Sequence, residues 1–291
     1  MNSCGAKAPR AFQGRISPIE ISKQQLKEFL SLREIEGLCN DWLKGINRYL
    51  VRFLNYVNWT ADREKIIEYL KLELKQCSVS TYRKKTYQIR KFLEFCGHHW
   101  IHEVKLPREP VTAIKRITTE DVRKTLKIVA SRGEKERYSA LVILGATSGL
   151  RAEELYQLTP EDIDMENRII HVNHDPTNGQ TTKTKTSRIT FFTEDAKQAI
   201  SCYLPIYRAD DRFTHLFTKS QCIKALRHAP IQVKDLRKFF SQEWDRRGGP
   251  TSIKKILMGH SLKGDVDLMH YNCQSEEDLK KIYDNVMCLK Q

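Results

Sequence analysis

The segment Leu106-Pro-Arg-Glu-Pro110 constrains this chain most. Two prolines three residues apart remove backbone donors and push the residues before them out of the helical region, and the charges between them oppose burial. Neither a helix nor a central strand runs through such a segment. The chain therefore builds one core before it and another after it, and 291 residues suffice for two domains of ordinary size.

Residues 1–17 carry Gly, Ala, Pro and Ser without apolar periodicity and read as a flexible basic arm. Residues 18–105 read as a small helical domain. Leu26, Phe29, Leu30 and Leu32 start one helix, and Trp42, Ile46, Tyr49, Leu50 and Phe53 recur at steps of three and four along a second. Thr60, followed by Asp62 and Glu64, predicts an N-cap for a third that ends near Cys77. Ser78 predicts the start of a fourth, with Tyr87, Ile89, Phe92 and Phe95 on its core side. Residues 106–116 form the linker, and 117–291 a larger domain. Thr118 and Thr119 before Glu120 and Asp121 predict a capped helix, and the nearly uncharged stretch Tyr138–Gly149 predicts a helix inside the core. Arg168–Val172 and Arg188–Phe192 are β-rich and predict a hairpin with a long mobile turn. Helices follow, with breaks expected at Pro205, at Gly248-Gly249-Pro250 and around Gly264.

Charge narrows the function. Lys and Arg total 50 against 36 acidic residues, a formal net charge of +14. The excess is +8 in residues 1–110 and +6 in the remainder, so it is densest in the helical domain. Such a field attracts polyanions, nucleic acid first. No apolar run is long enough to span a bilayer, and no basic amphipathic stretch has the face of an interfacial helix, so no membrane partner is expected. The polar N-terminal stretch lacks the apolar region of a secretory signal, which predicts a cytoplasmic, nucleoid-associated protein. The eight cysteines form no C-x-x-C pair and read as free thiols; Cys96-Gly97-His98-His99 is the one local cluster, and no metal is expected there. Arg83, Lys84, Lys85, Arg90 and Lys91 decorate the fourth helix and are candidates for DNA binding, with a plain solvated face as the alternative.

Four segments of the second domain concentrate chemistry. In Thr147-Ser-Gly-Leu-Arg151-Ala-Glu-Glu154, a Gly-made corner precedes Arg151, and Glu154 one turn later can fix its guanidinium or simply form an ordinary helix pair. Lys183 and Lys185 lie in the hairpin turn, where a swinging ammonium can reach a phosphate or remain solvated. Lys234 and Arg237, three apart, share one helix face and can converge on one anion. Met258-Gly-His260-Ser is followed, eleven residues after the histidine, by Tyr271 in Asp267-Leu-Met-His-Tyr-Asn272, where core packing is the alternative role.

In this order the segments closely resemble the tyrosine recombinase (phage-type integrase) family. T-S-G-L-R-A-E-E-L resembles that family's T-G-L-R-x-x-E-L box, K-D-L-R its H-x-L-R box, M-G-H-S its L-G-H-S box, and D-L-M-H-Y-N its nucleophile segment. The resemblance covers about residues 117–271. It implies a mainly α fold with a small antiparallel β-sheet, in a two-domain architecture of helical core-binding domain and mixed α/β catalytic domain. It further implies that Arg151 and Arg237 grip the scissile phosphate, with Glu154 supporting. Lys183 would be general acid, with Lys185 as runner-up, and His260 would fill the second histidine position. Tyr271 would be the nucleophile of a 3′-phosphotyrosyl intermediate formed without ATP, metal or other cofactor. Lys234 departs from the pattern by replacing the first histidine, as in archaeal virus and plasmid integrases. The implied partners are double-stranded DNA and further copies of the chain, monomeric in solution and tetrameric in the synapse. Glu276–Leu289, apolar at helical spacing, is a candidate docking helix, with packing on its own domain as the alternative. A type IB-like topoisomerase or dimer resolvase would share this chemistry. A non-catalytic DNA-binding relic would have lost Tyr271 or an arginine, and no RNP or KH-type signature points to RNA.

Overall fold

Ser22 starts the first helix by reciprocal capping: its Oγ accepts from the Gln25 N–H at 3.1 Å, and Gln25 Oε1 accepts from the Ser22 N–H at 2.8 Å. The computed structural model describes residues 20–111, 113–209, 213–260 and 274–288. It divides between Ala113 and Ile114 into two units, each with its own core.

The first unit is helical: α1 Lys23–Ile35, α2 Asn40–Tyr56, α3 Arg63–Gln76 and α4 Val79–Phe95, then a 3₁₀ turn at His99–Glu103. Ile46, Leu50 and Phe53 of α2 meet Ile66 and Leu70 of α3 and Ile89, Phe92 and Leu93 of α4 in one buried cluster. Phe29 of α1 closes it, edge-on to Phe92 at 5.3 Å. Three expectations are corrected here. The cap of α3 is Asp62, whose carboxylate accepts from the Glu64 N–H at 2.9 Å. Thr60 is engaged elsewhere, its hydroxyl donating to Val57 O. Tyr87 and Phe95 are exposed: Tyr87 precedes Ile89 by two residues, about 200° around the helix and off the buried stripe, and Phe95 leans on Phe29 at the helix end with its far edge outward. Leu32 also lies outside the core.

The second unit is built on α6 Lys135–Ser148, whose uncharged middle is buried on several sides by α5 Thr119–Ala130, α8 Glu194–Arg208 and α10 Val233–Arg246. Gly145 allows the closest approach, since a Cβ there would lie 2.7 Å from Leu236 Cδ1 of α10. After α6 come the short α7 Ala152–Tyr156 and three antiparallel strands in the order β1 Ile163–Asp164, β2 Ile169–Val172, β3 Arg188–Phe191. In the β2–β3 hairpin Ile170 faces Thr190 and Val172 faces Arg188. Helices α9 Lys219–Ala225, α11 Thr251–Met258 and α12 Glu276–Met287 complete the unit.

The long hairpin turn is anchored at several points. Thr181 N–H donates to Gln157, the C-cap of α7, at 2.8 Å, Gln180 Nε2 donates to buried Asp162 at 2.9 Å, and Thr182 N–H donates to His174 Nδ1 at 3.0 Å. Pro205 does not break its helix. It lies in the last turn of α8, where little ladder remains to lose, and buried Tyr203 pins that turn by donating to Leu216 O at 2.8 Å. The helix α12 packs on its own unit: Leu279, Tyr283, Val286 and Met287 join Phe191, Phe240, Trp244 and Leu257 in a second core cluster. The expected break at Gly264 and the arm 1–17 lie outside the described residues.

Candidate active site

Gly149 ends α6 in the left-handed region, φ +67°, and a Cβ there would stand 2.6 Å from the Phe240 ring. Only glycine makes this corner without displacing the ring. The corner delivers Arg151 to the N-cap of α7, where its own N–H donates to Glu154 Oε2 at 2.7 Å. Its guanidinium donates to Glu154 Oε1 and to Gly259 O, both at 2.7 Å. Arg237 reaches the same corner from α10 and donates to Gly149 O at 2.8 Å. Among the described residues no carboxylate forms an ion pair with it.

Glu154 is buried beneath both arginine-bearing corners and is shared. Arg188, first residue of β3, grips it with two bonds of 3.0 and 2.7 Å. Burial would raise the Glu154 pKa, but the Arg188 and Arg151 bonds outweigh burial and hold it at about 2. Three guanidiniums against one carboxylate leave a net positive pocket at neutral pH. Burial, followed by the charge of Arg151, pushes the Arg237 pKa down to about 10, so it remains charged. A half-buried cation without a counter-ion suits a visiting anion.

His260 follows Gly259, the left-handed cap of α11 at φ +62°. Burial and then the positive charges of Arg237, Arg151, Lys254 and Arg188 lower its pKa, which keeps the imidazole neutral and able to accept a proton at neutral pH.

The family model for the phage integrase family matches residues 115–272, more than half of the chain. The chain belongs to the phage integrase family. It is a tyrosine recombinase, and it binds DNA and recombines it site-specifically. Among curated relatives, tyrosine recombinase XerA of Pyrococcus furiosus is 23% identical over 85% of this chain and 83% of its own length. The XerA of Saccharolobus solfataricus is 28% identical over 80% and 82%. Two solved structures share the fold. The Tn1549 transposon integrase in complex with transposon right end DNA aligns with TM-score 0.65 at 13% identity, covering 91% of this chain and 99% of that one. A lambda integrase tetramer bound to a Holliday junction aligns with TM-score 0.65 at 12% identity, covering 82% and 76%. No helix among the described residues is long and apolar enough to cross a membrane.

The fold of this recombinase brings Arg151, Glu154, Arg237 and His260 into one cluster, although they lie up to 109 positions apart in the chain. It does not bring every candidate into contact with them. Lys183 and Lys185 are exposed in the hairpin turn and Lys234 is exposed on α10, and their side chains form no ion pair or hydrogen bond among the described residues. Tyr271 lies outside the described residues. In the helical unit, Lys84 is exposed, whereas Lys85 turns inward to buried Glu73 at 2.7 Å. Arg83 donates to Pro107 O at 2.6 Å, Arg90 meets His102, and Lys91 pairs with Glu94 at 3.5 Å. Arg83, Lys85 and Lys91 thus each face a carboxylate within the unit, and the pair made by Lys85 is the most buried of the three. Among the described residues no group of acidic, Cys or His side chains could hold a metal ion, and His98 is a buried side chain that follows the α4 turn. Arg188 is the member of the cluster that the motifs did not mark. Its only signal was a lone cation opening an otherwise apolar strand.

Proposed function

We propose that this recombinase cleaves and rejoins DNA through attack of Tyr271 on a scissile phosphate held by Arg151 and Arg237. The observation that carries the reading is the shared carboxylate: Glu154 orients Arg151 while Arg188 offsets its charge, so the corner keeps a net positive field for a phosphate. The tyrosine oxygen forms a bond to phosphorus as the bond to the 5′-oxygen breaks. Guanidiniums donating to the non-bridging oxygens stabilise the charge of the pentacoordinate state. A free tyrosine has a pKa near 10 and needs a base, a role that falls to His260, whose lowered pKa leaves it free to accept a proton. Lys183 on its anchored turn protonates the leaving 5′-oxygen, a role worth about 10²–10⁴-fold, with Lys185 the alternative. Lys234 adds a cation at the position the family gives to its first histidine.

Because the phosphodiester is exchanged for a phosphotyrosine, a 5′-hydroxyl from another strand reseals it without ATP. Residues 18–105 serve as the core-binding domain and 117–291 as the catalytic domain. The packing of α12 on its own unit supports a monomer in solution, and strand exchange requires a tetrameric synapse on DNA, in the cytoplasm at the nucleoid. The test is a nicked suicide duplex carrying the recombination site, incubated with wild type and Tyr271→Phe without metal. A covalent protein–DNA adduct is expected from wild type alone. An adduct that persists in the variant would assign the wrong nucleophile, and binding without any adduct would favour a non-catalytic role.

A further inference from the structure

Arg188 is largely buried, and three of its five N–H donors are already taken. Its side chain is 9% exposed and those donors go to three acceptors: both oxygens of Glu154, at 3.0 and 2.7 Å, and Leu257 O in the last turn of α11, at 2.9 Å from Nε. Its stem is also wedged beneath the cap of that helix. A Cβ on Gly259 would lie 2.8 Å from both Cδ and Nε of Arg188, so the bare backbone of Gly259 lets the guanidinium pass. The carbonyl of that same glycine accepts from Arg151. One side chain from the sheet therefore touches the carboxylate that orients Arg151 and the turn that presents His260.

Its place in the chain adds a third link. Arg188 is five residues beyond Lys183 and faces Val172 in the register pair that closes the anchored turn. Movement of β3 would therefore be felt at the hairpin lysine, at Arg151 and at His260 together. An ordinary stabilising ion pair would need only the Glu154 contact.

We infer that Arg188 is a positioning residue for strand cleavage: it locks β3, and with it the Lys183 turn, to the Glu154–Arg151 pair and the Gly259–His260 turn, and so sets the relative placement of the groups around the phosphate. Arg188 touches no reacting atom. Its charge also acts, since with Arg188 absent Glu154 would pair with Arg151 alone and cancel much of the field meant for the phosphate. This inference rests on the function proposed above.

The experiment measures single-turnover cleavage of the nicked duplex, affinity for intact duplex, and thermal melting. It uses full-length wild type, Arg188→Lys, Arg188→Met, Glu154→Gln and the double variant Arg188→Met/Glu154→Gln. Misplacement by about an ångström costs about 100-fold in rate, so Arg188→Met is expected to cleave about 100-fold more slowly while still binding duplex. Arg188→Lys keeps the charge and is expected to recover part of the loss. The double variant, with no uncompensated carboxylate, guards against simple misfolding. It is expected to melt above Arg188→Met yet to cleave more slowly than Glu154→Gln. Cleavage by the double variant as fast as by Glu154→Gln would reduce Arg188 to a counter-ion and overturn the inference. So would wild-type cleavage by Arg188→Met. Absence of an adduct from wild type would instead overturn the function on which the inference rests.

Discussion

Glu154 is the residue on which the site turns, and its ionisation gives the account a signature in pH. Its folded pKa is about 2 against an ordinary value of 4.5, so the native state favours the carboxylate. The resulting stability is fully present above pH 4.5 and is lost as pH falls from there toward 2, up to about 3 kcal/mol for a shift of this size. Chemical denaturation of wild type and Glu154→Gln across that window should show a steeper loss in wild type. Parallel curves would mean that Glu154 is not held as described. The sequence made half of this legible. A Gly corner followed by Arg and by Glu one turn on is a local pattern, and the local bonds form as that pattern implies. Arg188 was not legible because its partners lie 34 and 69 positions away in the chain, and nothing next to it records them. Lys85 shows the reverse case. Its helix looks uniformly basic in sequence, but its tip folds back onto Glu73, 12 positions away.

At the scale of elements, helices whose ends and faces are locally encoded came through. Ser78 and Thr118 cap where expected, and the uncharged stretch of α6 is buried because neighbours cover several of its sides. The exceptions have tertiary causes, as where Tyr203 holds α8 together past Pro205. The periodicity of α12 marked an apolar face without saying which surface covers it. The structure gives that face to its own unit, and the polar clasps agree: Arg168 pairs with Asp284 at 2.7 Å, and Arg247 donates to Met287 O at 2.8 Å. Within that seat, fully buried Tyr283 donates to Thr147 O at 2.8 Å, two residues before the Gly149 corner. Tyr283→Phe keeps the ring and deletes the bond, leaving an unsatisfied acceptor. It should cost about 1–3 kcal/mol, read as a lower denaturation midpoint with an unchanged slope. Wild-type stability in the variant would show that α12 is not seated through this bond.

For the whole molecule, the proline-flanked linker and the charge balance carry the most weight. Two separate cores form, and the division falls at residues 113 and 114, within the segment that lacks periodicity. The net charge of +14 makes DNA binding a counterion-release process. Affinity for duplex should fall about 1,000-fold or more between about 50 and about 200 mM salt if six or more phosphates are contacted. Titration by fluorescence anisotropy measures this directly, and a flat response would contradict a protein that clamps the backbone.

The central claim is that strand cleavage leaves DNA on Tyr271. Tryptic digestion of the adduct followed by mass spectrometry tests it most directly, because cleavage after Lys263 and Lys280 releases residues 264–280, a peptide whose only tyrosine is Tyr271. The account predicts that this peptide carries the nucleotide remnant through a 3′-phosphate. A remnant on any other peptide, or attachment through a 5′-phosphate, would contradict it.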